Sequence, residues 1–338
     1  MTGVQTCALP ISATTLILAA GGIFFLEQRG HARLLTDKDT IVLADFINKT
    51  GDPVFDGTLR EGLAVQLEQS PFLSLISDQR IQQVLGLMGQ PADARLTPEF
   101  GKEICERTAS AAVLDGSIAP LGSQYVLGLR ARNCRSGDIL DEEQVQAARK
   151  EDVLKALSQI ASKFRTRVGE SLAMVQKHDT PLEEATTPSL EALKVYSQAM
   201  KVVFSTGSGA AMPLFKRATE IDPNFAMAYA FLGRTYGDIG ESDLSAESTG
   251  KAWQLRDRGT DAEKFFITAN YDLQVTGNLE KAQETFELWA QTYPRAIHAP
   301  GLLSGMIYPV FGKHEKAIEA AKGLSRNNSS ILKCFGVF

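Results

Sequence analysis

Histidine and cysteine are scarce in this 338-residue sequence, with four of each. Cys7, Cys105, Cys134 and Cys334 form no Cys-x-x-Cys pair, and His31, His178, His298 and His314 stand apart from one another. Structural zinc needs clustered ligands and a disulfide-built scaffold needs far more cysteine, so neither is expected. Runs of Lys or Arg are also missing and the formal net charge is −5, which argues against a nucleic-acid-binding surface. No Gly-Lys-Ser or Gly-Lys-Thr occurs to build a phosphate-cradling loop. Asp115-Gly116-Ser117 and Ser304-Gly305 lack the second glycine of a Gly-x-Ser-x-Gly elbow. Gly207-Ser208-Gly209 falls between two helical stretches, where a tight turn explains it, and Glu142-Glu143 and Glu183-Glu184 read as solvated faces. With no histidine beside a plausible nucleophile and acid, no catalytic residue, cofactor or metal is expected.

What is present is enough apolar material, 44% of residues, for two or three domains. Residues 13–26 (ATTLILAAGGIFFL) carry no charge, and counting back to Cys7 gives a stretch able to cross a bilayer. Met1 to Ser12 (MTGVQTCALPIS) resembles the translation of a sequencing-library adapter, which would make 13–26 the remaining half of a transmembrane helix. The alternative is a genuine short leader, although it lacks the usual basic residue. Arg29 and Arg33 follow the segment, but with only one flank to count, charge does not decide orientation.

Residues 38–176 read as an α+β domain in the order β-α-β-α-α-β-β-β-α. Thr40–Phe46 and Phe72–Ile76 are strand-like, and Leu59, Leu63 and Leu67 mark an amphipathic helix near Gly57–Gln69. A second helix is expected at Asp78–Met88, and Thr97-Pro98-Glu99 opens a third. Ala111–Ala119, Gln124–Cys134 and Ile139–Ala147 read as strands joined by hairpin turns. One long helix, with Val153, Leu157, Ile160, Phe164, Val168, Leu172 and Val175 as its stripe, closes the unit. The topology resembles TolB N-terminal-like and curli-secretion-lipoprotein-like domains of bacterial envelope proteins. It also brings Cys105 and Cys134 to one edge of the sheet, where a disulfide and two buried thiols are both open readings.

A polar stretch, 177–187, reads as a linker, and 188–326 as an all-α repeat region of about four helix pairs. Gly207, Gly240, Gly277 and Gly312 recur at intervals of 33, 37 and 35 residues, and Pro223 and Pro294 lie 71 apart. Ala211, Phe215 and Ala218 have counterparts in Ala282, Phe286 and Trp289 and in Ala317, Ala321 and Leu324. The second pair looks irregular, with Ala246, Gly250 and Trp253 one residue late and no closing proline, and the fourth carries Pro309 in its first helix. These spacings resemble a tetratricopeptide (TPR) solenoid. Residues 327–338 fit no repeat position and read as an irregular, truncated end.

Several stretches together, TDKDTIVLADFINKTGDPVFDGTLREGLAVQLEQSPFL, GSQYVLGLRARNC, TPSLEALKVYS and FKRATEIDPNFAMAYAFLG, resemble the C-terminal region of a bacterial membrane-anchored serine/threonine protein kinase family. That architecture implies a single-pass inner-membrane protein whose TolB-like and TPR modules lie outside the cytoplasm. A similar region follows DNA-binding winged-helix modules, which would make it a cytoplasmic adaptor. The kinase motifs are absent here, and Ala44-Asp45-Phe46-Ile47 is only superficially similar to one of them. The expectation is therefore a non-catalytic scaffold that holds a protein or peptide in the repeat groove. The family register places Tyr196, Met200, Arg234, Asp238, Tyr271 and Gln274 on the groove-lining helices.

Overall fold

The computed structural model describes residues 35–36, 39–91 and 94–327. The adapter-like stretch, the apolar segment 13–26 and residues 328–338 lie outside the described residues. Among the described residues, no helix is long and apolar enough to cross a membrane.

Strands β1 (Ile41–Leu43) and β2 (Ile47–Asn48) both pair in parallel with β3 (Ala112–Leu121). The crossover carries a 3-10 turn at Pro53–Phe55 and helices α1 (Thr58–Glu68), α2 (Asp78–Leu87) and α3 (Pro98–Arg107). Thr97 caps α3 by accepting from the Phe100 amide, and Pro98 occupies the first helical position, where no amide is needed. β3, β4 (Gln124–Asn133) and β5 (Ile139–Ala147) then form an antiparallel meander, giving the order β1-β3-β4-β5. Gly122 and Gly137, at φ 62° and 75°, turn the two hairpins. Phe72–Ile76, read as a full strand, is reduced to one bridge between Leu75 and Ile41. Ser70 diverts its start, because the Ser70 hydroxyl accepts from the Phe72 and Leu73 amides in a turn.

The closing helix is shorter than its apolar stripe implied. α4 (Val153–Arg167) stops before Gly169, at φ 118°, and a separate α5 (Leu172–Lys177) follows, leaving Leu172 60% exposed. The break lets Arg165 turn inward. Its guanidinium is fully buried and donates to both carboxylate oxygens of Glu170, at 2.8 and 2.9 Å, and to the His178 carbonyl at 2.7 Å. Ser70 donates to the same carboxylate at 2.6 Å.

Nor are residues 177–187 a free linker. They hold the short helix α6 (Leu182–Ala185), and Leu182 and Thr187 are fully buried. Gln69 exchanges two hydrogen bonds with the Thr180 backbone, and Gln66 donates to Asp179. Composition alone concealed this, because the polar groups of the stretch are spent on neighbours: Asp179 and the Thr180 backbone on α1, and the Thr187 hydroxyl on Asp222.

Four helix pairs follow: α7 (Leu190–Ser205) with α8 (Ser208–Ile221), α9 (Ala226–Asp238) with α10 (Ser242–Leu255), α11 (Asp261–Tyr271) with α12 (Leu279–Thr292), and a last pair. The last pair's first helix runs through α13 (His298–Leu302) and α14 (Tyr308–Val310), and its second is α15 (His314–Asn327). All four recurrent glycines adopt positive φ at the turns between partners: 108°, 84°, 67° and 65°. π-turns extend α11 over Asp272–Thr276 and join α13 to α14 over Leu303–Ile307. The second of these precedes Pro309, where a regular helix would clash with the proline ring.

The second pair is regular after all. Its buried positions include Ser245, Thr249 and Ala252, five, nine and twelve residues after Gly240, as Ala282, Phe286 and Trp289 stand after Gly277. An apolar pattern misses two of these because they are hydroxyl residues. They are small for a reason. Gly233 lies against them, and a Cβ there would meet the Thr249 side chain, with the Thr249 nitrogen at 2.9 Å and the Ser245 carbonyl at 3.0 Å. Backbone atoms cannot yield as a flexible side chain does, so Gly233→Ala is expected to cost ~1–3 kcal/mol in urea denaturation. Gly250→Ala, on an open face of α10, should be neutral or stabilising by up to ~1 kcal/mol. Equal effects would contradict the close crossing of α9 and α10.

Two cores result. One runs from the sheet through α1 and α4 into the first helix pair, joining Leu114, Leu63 and Leu157 to Leu193, Tyr196 and Phe215. The other fills the later pairs around Phe266, Phe286, Trp289 and Leu303. A smaller cluster lies on the opposite sheet face beneath α2 and α3. There Cys105 and Cys134, both buried, are joined by a disulfide with Cα atoms 5.9 Å apart.

Candidate functional site

The six residues proposed to line a groove do not form one surface. Tyr196 is a core residue, 5% exposed, ringed by Phe215, Phe225 and Phe231. Burial raises its hydroxyl pKa well above the ordinary value. The expectation fails because α1 covers this part of α7: an added Cβ at Gly62 would lie 3.5 Å from Leu193, and one at Gly57 3.4 Å from the Lys201 ammonium. Met200 is half-buried against the same core. Gln274, in the first π-turn, accepts from Ser245 at 2.6 Å and Thr249 at 2.8 Å, so its oxygen is committed to α10.

The other three retain access. Arg234 is half-buried and makes no hydrogen bond or ion pair among the described residues. One turn later on α9, Asp238 is exposed and accepts from Ser208 at 2.8 Å. Tyr271 is half-buried and stacks on Trp253 with centroids 4.5 Å apart, and Arg256 lies 3.7 Å from the Trp253 ring centre.

A second constellation was not legible in advance, because it joins residues more than a hundred positions apart. Arg295, between α12 and α13, donates to the Phe72 carbonyl at 3.2 Å and the Asp39 carbonyl at 2.7 Å. Ser74 donates back to the Arg295 carbonyl at 3.5 Å. His298 stands 3.7 Å from Glu68, and the Tyr293 hydroxyl and His178 Nδ1 are hydrogen-bonded at 3.2 Å. Histidines that look isolated in sequence thus both lie where the helix array meets the α+β unit.

Charge accumulates along α1 at this junction. Arg60 donates to the Leu43 carbonyl at 3.1 Å and pairs with Asp78, with Asp45 4.0 Å away. Burial works against a charge on His298, but the Glu68 carboxylate, backed by Asp78 and Glu61, outweighs it and raises the pKa. Burial, then the Asp78 charge, lifts Glu61 from 4.5 to about 7. Burial also lifts Glu263 to about 7, against the Thr260 amide and hydroxyl that favour its charge.

These shifts give the molecule a pH dependence. Between the ordinary carboxyl value and about 7, the native state holds protons that the unfolded chain has released, so stability declines as pH rises through that window. Glu61→Gln should remove part of the decline: its melting temperature should match the parent's at pH 4 and exceed it at pH 8. A gap of constant size across that range would contradict the assignment.

No protein-family model matches the chain, and no curated protein does. Among solved structures it is similar to the LpoB C-terminal domain from Salmonella enterica, at 17% identity over 33% of this chain and 84% of that one, TM-score 0.31. Another is a PelC dodecamer from Paraburkholderia phytofirmans, at 13% identity over 41% and 93%, TM-score 0.27. A third is MamA, at 17% identity over 54% and 95%, TM-score 0.27. Overlap this loose assigns no family, and the fold stands on its own geometry.

Proposed function

We propose that this chain is a non-catalytic protein-interaction scaffold, a TolB-like α+β unit carrying tetratricopeptide repeats. The observation behind this reading is the recurrence of paired helices around a left-handed glycine, with a small-residue crossing at Gly233 against Ser245 and Thr249. Arrays of this kind bind extended or helical peptides, and Arg234, Tyr271 and the Trp253 stack supply a cation and aromatic faces for one. In this reading the apolar segment 13–26 anchors the scaffold to the bacterial inner membrane as part of a signalling protein, the alternative being a fragment of a serine/threonine kinase. The buried Cys105–Cys134 disulfide favours an extracytoplasmic location over the alternative of a cytoplasmic winged-helix adaptor, since such bonds persist in oxidising compartments.

The test is capture of partners from extracts of the source bacterium by the chain and by the double variant Arg234→Ala, Tyr271→Ala. The reading expects the captured protein to be lost, and a partner that persists removes these residues from the binding face. Phosphotransfer by the chain itself would overturn the non-catalytic part.

A further inference from the structure

The third and fourth helix pairs share no hydrophobic core with the α+β unit. Their direct contacts with it include the Arg295 guanidinium on the Phe72, Asp39 and Thr36 main-chain carbonyls, His298 beside Glu68, and Tyr293 beside His178. The contact is also imperfectly filled. A cavity of about 40 Å³ remains between Leu67, Leu73 and Leu75 on one side and Trp289, Ala296 and Ile297 on the other. Trp289, which borders it, is 4% exposed, and its indole N–H finds no acceptor among the described residues. Interfaces that open and close within a chain have this polar, loosely packed character, whereas permanent ones are extensive and apolar.

The α+β side of the contact is itself a short peptide-like stretch. From Glu68 to Leu75 the chain leaves α1 and runs without further helix, offering a carboxylate, a main-chain carbonyl at Phe72 and apolar side chains. We propose that the face around Arg295, His298 and Trp289 is a docking site for an extended acidic and apolar peptide, held shut by the chain's own Glu68–Leu75 segment. A partner takes the place of that segment by presenting the same groups: a carbonyl to the guanidinium where Phe72 now sits, a carboxylate to His298, and apolar side chains to the cavity. This rests on the scaffold reading and adds how the scaffold is gated.

The test uses the full chain and a labelled synthetic peptide of the sequence Leu67–Ile76. Glu68→Lys puts an ammonium beside Arg295 and His298 in place of the carboxylate, and because Glu68 is exposed, the change leaves the cores intact. Amide exchange in this variant should quicken at least tenfold at 68–76 and 293–302, with β3–β5 unchanged. The variant should also bind the peptide at least tenfold more tightly than the parent chain, and Arg295→Ala added to it should abolish binding. Faster exchange spread evenly over the chain, or peptide binding indifferent to Arg295, would overturn the proposal. If the parent chain captures its partner through Arg234 and Tyr271 equally well with and without Glu68→Lys, the scaffold reading survives and the gate does not.

Discussion

Arg165→Met is expected to lower the unfolding free energy by ~3–5 kcal/mol, read from urea denaturation at neutral pH. The cost is not that of one lost ion pair. Arg165 and Glu170 are 0% and 1% exposed at the side chain, and Arg165 is the cation that meets both Glu170 oxygens. Taking it away strands a carboxylate in the interior with only the Ser70 hydroxyl left, and removes the donor to the His178 carbonyl. Burying an unpaired charge is far more costly than never having had the pair, so the double change Arg165→Met, Glu170→Gln should recover a large part of the loss. A single variant losing under ~1 kcal/mol would show that the site relaxes to admit water.

Replacing both Cys105 and Cys134 by serine should cost about 3–4 kcal/mol, the loop-closure value for a bond between residues 29 apart. This bond joins the end of α3 to the residue after β4 and closes the small core beneath α2 and α3. The loss should therefore appear as faster amide exchange in α2 and α3, with the helix pairs little affected. Reduction of the parent chain under native conditions should proceed slowly, because both residues are at most 1% exposed. A variant as stable as the parent chain would mean that the thiols pack as well unbonded.

How much of this was legible in the sequence depended on whether the signal was local. The turn glycines announced themselves because only a residue without a Cβ adopts their backbone cheaply, and Gly240 and Gly277 do so at φ 84° and 67°. The Thr97-Pro98 helix start and the Gly122 hairpin were legible for similar reasons, since each is decided within four residues. Ser245 and Thr249 escape an apolar pattern because hydroxyl residues ordinarily signal exposure, whereas what the α9–α10 crossing requires is small size. Tyr196 was misplaced by a register that assumes an open inner face, and nothing near it in sequence announces that α1 lies across α7. The same holds for Arg295 and His298, whose partners are fixed only once the whole array has curved back on the α+β unit.

The helix α9 has one further consequence. Its Ala228 and Leu232 belong to the core shared with the sheet, while Ala226 and Ala230 belong to the core of the later pairs. Phe231 stacks on Phe215 at 5.4 Å and on Phe266 at 5.0 Å, so its ring is common to three consecutive pairs. In a simple one-dimensional array each unit touches only its neighbours, and the ends can fray while the middle holds. Here the middle cannot melt alone, because α9 leaves neither core without opening both. It is the coupling element through which loss of order at either end becomes cooperative across the molecule.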